Sequence, residues 1–181
     1  EMPDSRMTRY MADFGLTLYD AELIVASRRM ADFFQEAASS TKNGKLVANW
    51  IISEVFGRLT EDEKESCSIP FTPAHLAELV NLIESNVISS SIAKTVFADR
   101  WDSKKMPSVI VEEKGLKQID NDDELLKMVK EAISKNERAV KDFLGGKEMA
   151  IQAVVGYVMK LTKGKANPKK VSDMIKEQLA N

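Results

Sequence analysis

The stretch Gly145-Gly146-Lys147-Glu148-Met149-Ala150-Ile151-Gln152-Ala153-Val154-Val155-Gly156-Tyr157-Val158-Met159-Lys160-Leu161-Thr162-Lys163-Gly164-Lys165-Ala166-Asn167-Pro168-Lys169-Lys170-Val171 decides how the chain is read. Two glycines open it. Ile151, Val154, Val155, Val158, Met159 and Leu161 then recur at helical spacing. Lys163-Gly164 reads as a helix end with Gly164 at C′, where glycine takes a positive φ without penalty. Asn167-Pro168 reads as an N-cap followed by proline at the first helical position, where a missing N–H costs nothing. Lys160, Lys163, Lys165, Lys169 and Lys170 surround this stop and restart. A tight cationic turn beside a helix N-terminus is a candidate seat for phosphate.

Outward from this stretch the pattern stays helical. Asp4 or Ser5 is expected to cap a first helix that ends at Gly15. Thr17 to Asp20 resembles a capping box, and a break is expected near Ser27. Leu46, Val47, Trp50, Ile51, Val55, Phe56 and Leu59 form a wide apolar stripe on a helix over 45–59. Residues 60–70 read as an exposed charged connection. Thr72-Pro73 starts another helix, Ser85-Asn86 ends it, and Ser89 or Ser90 caps the next. Residues 108–115 combine strand composition at Val109-Ile110-Val111 with a helix-like ending at Gly115, and a short helix is expected. Leu116 to Asn121 reads as a linker. Asp122 opens a second group of helices, with Leu125, Leu126, Met128, Val129 and Ile133 on one face, then Val140, Phe143 and Leu144. Val171, Met174, Ile175 and Leu179 line the last helix. The expected fold is therefore all-α in two small domains, residues 1–117 and a three- to four-helix unit over 118–181.

At 181 residues and a formal charge of −2, the chain carries no global field that would draw it to nucleic acid. The charge is local. From Lys147 to Lys170 six lysines face one acid, a net +5, while the acidic runs Glu61 to Glu65 and Asp120 to Glu124 offset it. Cys67 is the single cysteine, which excludes an internal disulfide and points to a reducing compartment. The apolar runs fall short of the roughly 20 residues that span a membrane. The chain starts at Glu1 without a signal peptide or an initiator Met, which suggests processing or a piece of a longer protein.

No catalytic constellation emerges. His75 is the one histidine and sits in the first turn of its helix; Cys67 has no second cysteine or fixed basic partner. Phosphate-loop, dinucleotide and metal-ligand spacings do not occur. Trp50 and Trp101 fall on apolar faces and read as core. Gly156, mid-helix, suggests a close approach of a neighbouring helix. Two readings of the lysine turn stand side by side. One is a solvated helix end whose cations favour the macrodipole. The other is a grip on a phosphate backbone, which without interleaved aromatics suits the shape of a folded RNA better than its bases.

Several blocks carry a family resemblance: Phe14-Gly15-Leu16-Thr17-Leu18-Tyr19-Asp20-Ala21, Leu46-Val47-Ala48-Asn49-Trp50-Ile51, Phe71-Thr72-Pro73-Ala74-His75-Leu76-Ala77-Glu78-Leu79, Ile92-Ala93-Lys94-Thr95-Val96-Phe97, Ile110-Val111-Glu112-Glu113-Lys114-Gly115-Leu116, and Val155 through Pro168. In this order they make the chain resemble the GatB/YqeY region, the C-terminal part of the B subunit of the aspartyl/glutamyl-tRNA amidotransferases.

The resemblance implies a helical domain followed by a YqeY-like tail that grips the body of a tRNA. The parent complex converts Glu-tRNA(Gln) or Asp-tRNA(Asn) to the amide form, with ATP, Mg and ammonia from glutamine, at sites outside this sequence. Lys163, Gly164, Lys165, Asn167, Lys169, Lys170 and Lys147 are the expected tRNA-binding residues, with no catalytic residue, metal or cofactor in this region. Expected partners are tRNA(Gln) or tRNA(Asn), and the A and C subunits of the amidotransferase through the full B subunit. No membrane is expected, and the setting is the bacterial cytoplasm, or an organelle for a homologue. A subunit-interaction scaffold and a free-standing amidase-related protein are the alternatives.

Overall fold

The computed structural model describes residues 1–119 and 121–180. Its secondary structure is all-α: twelve α-helices and no strand among the described residues. Contacts gather the chain into two compact units. One joins Glu1–Ser85 with Val96–Glu113; the other joins Asn86–Thr95 with the chain from Lys114 onward. The 117/118 division expected from the sequence differs in the placement of residues 86–95 and 114–117.

In the first unit, α1 (Pro3–Phe14) begins two residues earlier than a cap at Asp4 would place it, and three earlier than a cap at Ser5. Met2 occupies the cap position, because Pro3 has the fixed φ and missing N–H that suit the first helical place, and Asp4 becomes a first-turn acid. Gly15 ends the helix at φ 65°. Thr17 Oγ1 accepts the Asp20 N–H at 3.1 Å to start α2 (Leu18–Val25), and Ser27 Oγ accepts the Met30 N–H at 3.3 Å to start α3 (Arg28–Ser39). The helix expected over 45–59 is α4 (Gly44–Trp50), capped by Asn43, followed by a π segment, Ile51–Val55, and a 3-10 turn, Phe56–Arg58. Val47, Ile51, Val55 and Leu59 are buried at every fourth position. That spacing overshoots an α turn and falls short of the wider π turn, so mixing the two keeps the row on one side.

The connection over 60–70 is not all loop. It contains α5 (Glu61–Ser66), opened by a reciprocal capping box in which Glu63 Oε2 accepts the Thr60 N–H at 2.8 Å. Cys67, at φ 53°, ends it. α6 (Pro73–Glu84) starts at the expected Thr72-Pro73 pair. α7 (Ser90–Asp102) is capped by Ser89, whose Oγ accepts the Ile92 N–H at 3.3 Å. α8 (Pro107–Glu113) settles the Val109–Val111 ambiguity as helix. The core of this unit is aromatic. Tyr10 and Phe34 meet edge to face with ring centroids 4.8 Å apart, and Phe97 meets Trp50 at 5.4 Å and Phe71 at 5.8 Å. Both tryptophans are thus packing residues; Trp101 lies 5.8 Å from Phe71.

In the second unit, Asn121 caps α9 (Asp122–Lys135) through the N–H groups of Asp123 and Glu124. α10 (Glu137–Leu144), a 3-10 turn (Glu148–Ala150), α11 (Ile151–Leu161) and α12 (Pro168–Ala180) follow. Leu125, Val129, Val154, Val158, Val171 and Ile175 form the centre of the core, with Ile119 packed at its margin. Gly156 departs from expectation: it is exposed, and a Cβ built there meets nothing within 4 Å, so no helix approaches it. Asp120, part of the expected linker and acidic run, lies outside the described residues.

Candidate nucleic-acid interface

The basic turn is built around a buried threonine. Thr162, 3 % exposed, bonds its hydroxyl back to Val158 O at 3.0 Å and accepts the Ala166 N–H at 3.4 Å. The chain wraps over it in a Schellman motif: Lys163 N–H reaches Lys160 O at 3.1 Å and Gly164 N–H reaches Met159 O at 2.8 Å. The expected register shifts by one. Lys163, at φ 52°, holds C′, and Gly164, at φ 78°, follows it. A left-handed residue with a Cβ costs roughly 1–2 kcal/mol, which the two capping bonds and the Thr162 anchor offset.

Gly164 makes a close approach, but to this chain's own atoms. Its carbonyl accepts Ser89 Oγ at 2.5 Å and Ser91 Oγ at 3.3 Å, and a Cβ would stand 3.1 Å from Ser91 Oγ. The carbonyl of Lys165 accepts the Ile119 N–H at 3.0 Å. Asn167 caps α12 as expected, its Oδ1 accepting the N–H groups of Lys169 at 3.0 Å and Lys170 at 3.4 Å. This changes the electrostatics of the helix start. Pro168 has no N–H, the next two donors are held by Asn167 Oδ1, and Val171 N–H bonds Asn167 O at 3.0 Å. The phosphate seat expected at the α12 terminus therefore has its backbone donors occupied, and attraction there falls to side-chain ammonium groups.

The seven expected residues separate accordingly. Lys163, Gly164, Lys165, Asn167 and Lys169 share one turn, with Lys163 and Lys169 exposed and Lys165 half-buried. Lys170 belongs to the same turn but ion-pairs with Asp122, Nζ to Oδ1 at 2.5 Å. Lys147 stands apart, 3.3 Å from Asp142 at the other end of α11; the 11 residues of that helix put about 16 Å between it and the turn. Sequence reasoning does not reach Ser89 and Ser91 as parts of this site. Their only local signal is helix capping, and the partner carbonyl lies 75 residues away for Ser89.

His75 is engaged structurally, and the Cys67 thiol is free. His75 Nδ1 accepts the Thr72 N–H at 3.3 Å and lies 2.7 Å from Thr72 Oγ1, closing the α6 cap. Burial, then the Arg100 guanidinium, depresses its pKa. Burial pushes the Cys67 thiol up, away from thiolate. Among the described residues no group of three or more His, Cys, Asp or Glu is placed to hold a metal, and no helix is long and apolar enough to cross a membrane.

The GatB/YqeY family model, described as the GatB domain, matches residues 32–179. The chain belongs to the GatB/YqeY family. Relatives agree along its whole length. The aspartyl/glutamyl-tRNA(Asn/Gln) amidotransferase B subunit of Thermoanaerobacter sp. (strain X514) is 46% identical over 180 residues, 99% of this chain and 38% of the relative. The protein of the same name from Oceanobacillus iheyensis is 43% identical over 181 residues, 100% of this chain and 38% of its own length. That of Rickettsia canadensis is 42% identical, covering 100% and 37%. The GatB/YqeY chain thus spans under two-fifths of these relatives and corresponds to their C-terminal part.

Proposed function

We propose that this GatB/YqeY chain is a tRNA-docking region of an amidotransferase B subunit and is itself noncatalytic. The observation that carries the reading is the turn holding Lys163, Lys165 and Lys169, three cations on a backbone whose hydrogen bonds are met within the chain. Such a turn offers charge and shape but no base-edge recognition, which suits the phosphate backbone of a folded RNA. The relatives' printed names supply the RNA: tRNA(Asn) or tRNA(Gln). The use of His75 in the α6 cap and the upward push of burial on the Cys67 thiol support the noncatalytic part. The amide transfer, with ATP and Mg, and the pairing with the A and C subunits would belong to the longer protein.

The test is a titration of tRNA with the full-length B subunit in its complex, across a salt series, for the wild type and Lys163→Glu/Lys165→Glu/Lys169→Glu. Each phosphate contact contributes about 0.9 to the slope of log affinity against log salt, so the variant is expected to bind more weakly with a slope flatter by up to about 3. Unchanged affinity and slope would remove the docking assignment. Retained association of the complex at high salt, without tRNA dependence, would favour the scaffold reading instead.

A further inference from the structure

Three stretches far apart in sequence meet at the basic turn. Val87 O accepts the Gln118 N–H at 2.6 Å. The next residue, Ile119, gives its N–H to Lys165 O at 3.0 Å. Gly164, the residue before Lys165, gives its carbonyl to Ser89 Oγ at 2.5 Å. Val87 and Ser89 are two residues apart, so the three links close a ring. All of these residues lie in the unit formed by Asn86–Thr95 and the chain from Lys114 onward.

Ser89 is the member with two tasks. It is 6 % exposed, its oxygen caps α7 by accepting the Ile92 N–H, and its proton goes to Gly164 O. A hydroxyl has one proton to give, so the same group that starts α7 spends its donor on the turn. Gly164 is the residue most in need of restraint. Lacking a Cβ, it has the widest backbone freedom, and Lys163 and Lys165 sit directly on either side of it. Rotation about Gly164 moves one lysine relative to the other.

We infer that Ser89 is a positioning residue for the nucleic-acid contact: by pinning Gly164 O it fixes the relative placement of Lys163 and Lys165 before a phosphate backbone arrives. This rests on the docking reading above. A turn ordered during folding does not have to be ordered again on binding, so the pin raises affinity without adding a charge. Its signature therefore differs from that of the lysines. Removing a lysine changes the salt slope; removing the pin weakens binding equally at every salt concentration.

The experiment uses the full-length B subunit in its complex, a tRNA(Gln) transcript, and the variants Ser89→Ala, Ser89→Thr, Ser91→Ala and Lys163→Glu/Lys165→Glu. Affinity is read across a salt series, and amide hydrogen exchange is read at Lys165 and Ala166. Ser89→Ala is expected to bind about three- to tenfold more weakly at unchanged slope, with faster exchange at both amides, while Ser89→Thr keeps the hydroxyl and restores both readouts. A purely structural serine would lower the melting temperature and leave the affinity of the folded protein unchanged; that result overturns the inference. Should Ser89→Ala fold poorly, the same substitution in a Gly156→Ala background decides: weaker binding at unchanged slope supports the pin, wild-type affinity refutes it, and Ser91→Ala, which leaves the 2.5 Å bond in place, serves as the control. If the paired lysine reversal weakens binding while the serine variants do not, docking stands and the pin falls. If the lysine reversal has no effect, both fall.

Discussion

Lys170 Nζ lies 2.5 Å from Asp122 Oδ1, which ties the first turn of α12 to the first turn of α9. The lysine side chain is 33% exposed and its partner 74%, so the pair is a partly screened surface bridge, worth about 0.2–1 kcal/mol. Lys170 is therefore a stabilising residue that happens to lie in a basic turn. Lys170→Glu sets two carboxylates against each other. We expect it to destabilise the fold by about 1 kcal/mol in urea titrations. At matched fractions folded, its effect on tRNA affinity should be smaller than that of Lys163→Glu. Lys147→Glu, remote from the turn, should leave the salt slope as it is. Equal losses at positions 147, 163 and 170 would mean that the whole basic surface acts without local geometry.

Gly156 occupies the interior of α11 with open space where a Cβ would go. Glycine in a helix interior costs about 0.8–1.0 kcal/mol against alanine, and no neighbour collects a benefit from its absence of side chain. Gly156→Ala should raise the stability of the chain by about 0.5–1 kcal/mol, seen as a higher denaturation midpoint with the same denaturant dependence. A loss of stability would show that the position is needed for close packing after all.

His75 makes the α6 cap sensitive to acid. Its folded pKa lies below the ordinary value of 6.5, first because of burial and then because of Arg100, while Glu78 pulls the other way. The unfolded chain therefore takes up a proton at a higher pH than the folded one. Stability from this site is complete above about pH 6.5 and declines as pH falls through the folded value. Protonation also removes the acceptor from Nδ1 and breaks the bond with the Thr72 N–H. Denaturation curves between pH 5 and 7.5 should show the decline. Gln at this position completes an ordinary Thr-x-x-Gln box, so His75→Gln should fold stably and lose this part of the pH dependence. The same decline in His75→Gln would place its origin elsewhere.

What can be read in the sequence is mostly punctuation. Gly15, Thr17, Thr72, Ser89 and Asn167 perform the stops and starts that their types suggest, since capping is decided within a few residues. Helix α5 escapes such a reading for a physical reason. Its charged sequence has no apolar face to mark it, although Thr60 and Glu63 carry the reciprocal cap. The turn after α11 differs by one residue from expectation because glycine is the usual C′ residue, and a lysine stabilised there by the buried Thr162 leaves no local sign. The candidate site is legible as a group of charges. Which charges are spent is not, because Lys170 meets Asp122 and Gly164 meets Ser89 across long stretches of chain.

The ring through Val87, Ser89, Gln118, Ile119, Gly164 and Lys165 also sets a timetable for synthesis. Ser89 leaves the ribosome 75 residues ahead of Gly164, an interval of roughly 4–15 s at 5–20 residues per second. The cap on Ile92 needs only its neighbours and can form at once, while the hydroxyl proton has to wait in water for its carbonyl. The start of α7 is thus among the earlier local structures to form, and the basic turn takes its final shape only once Gly164 and Lys165 have followed α11.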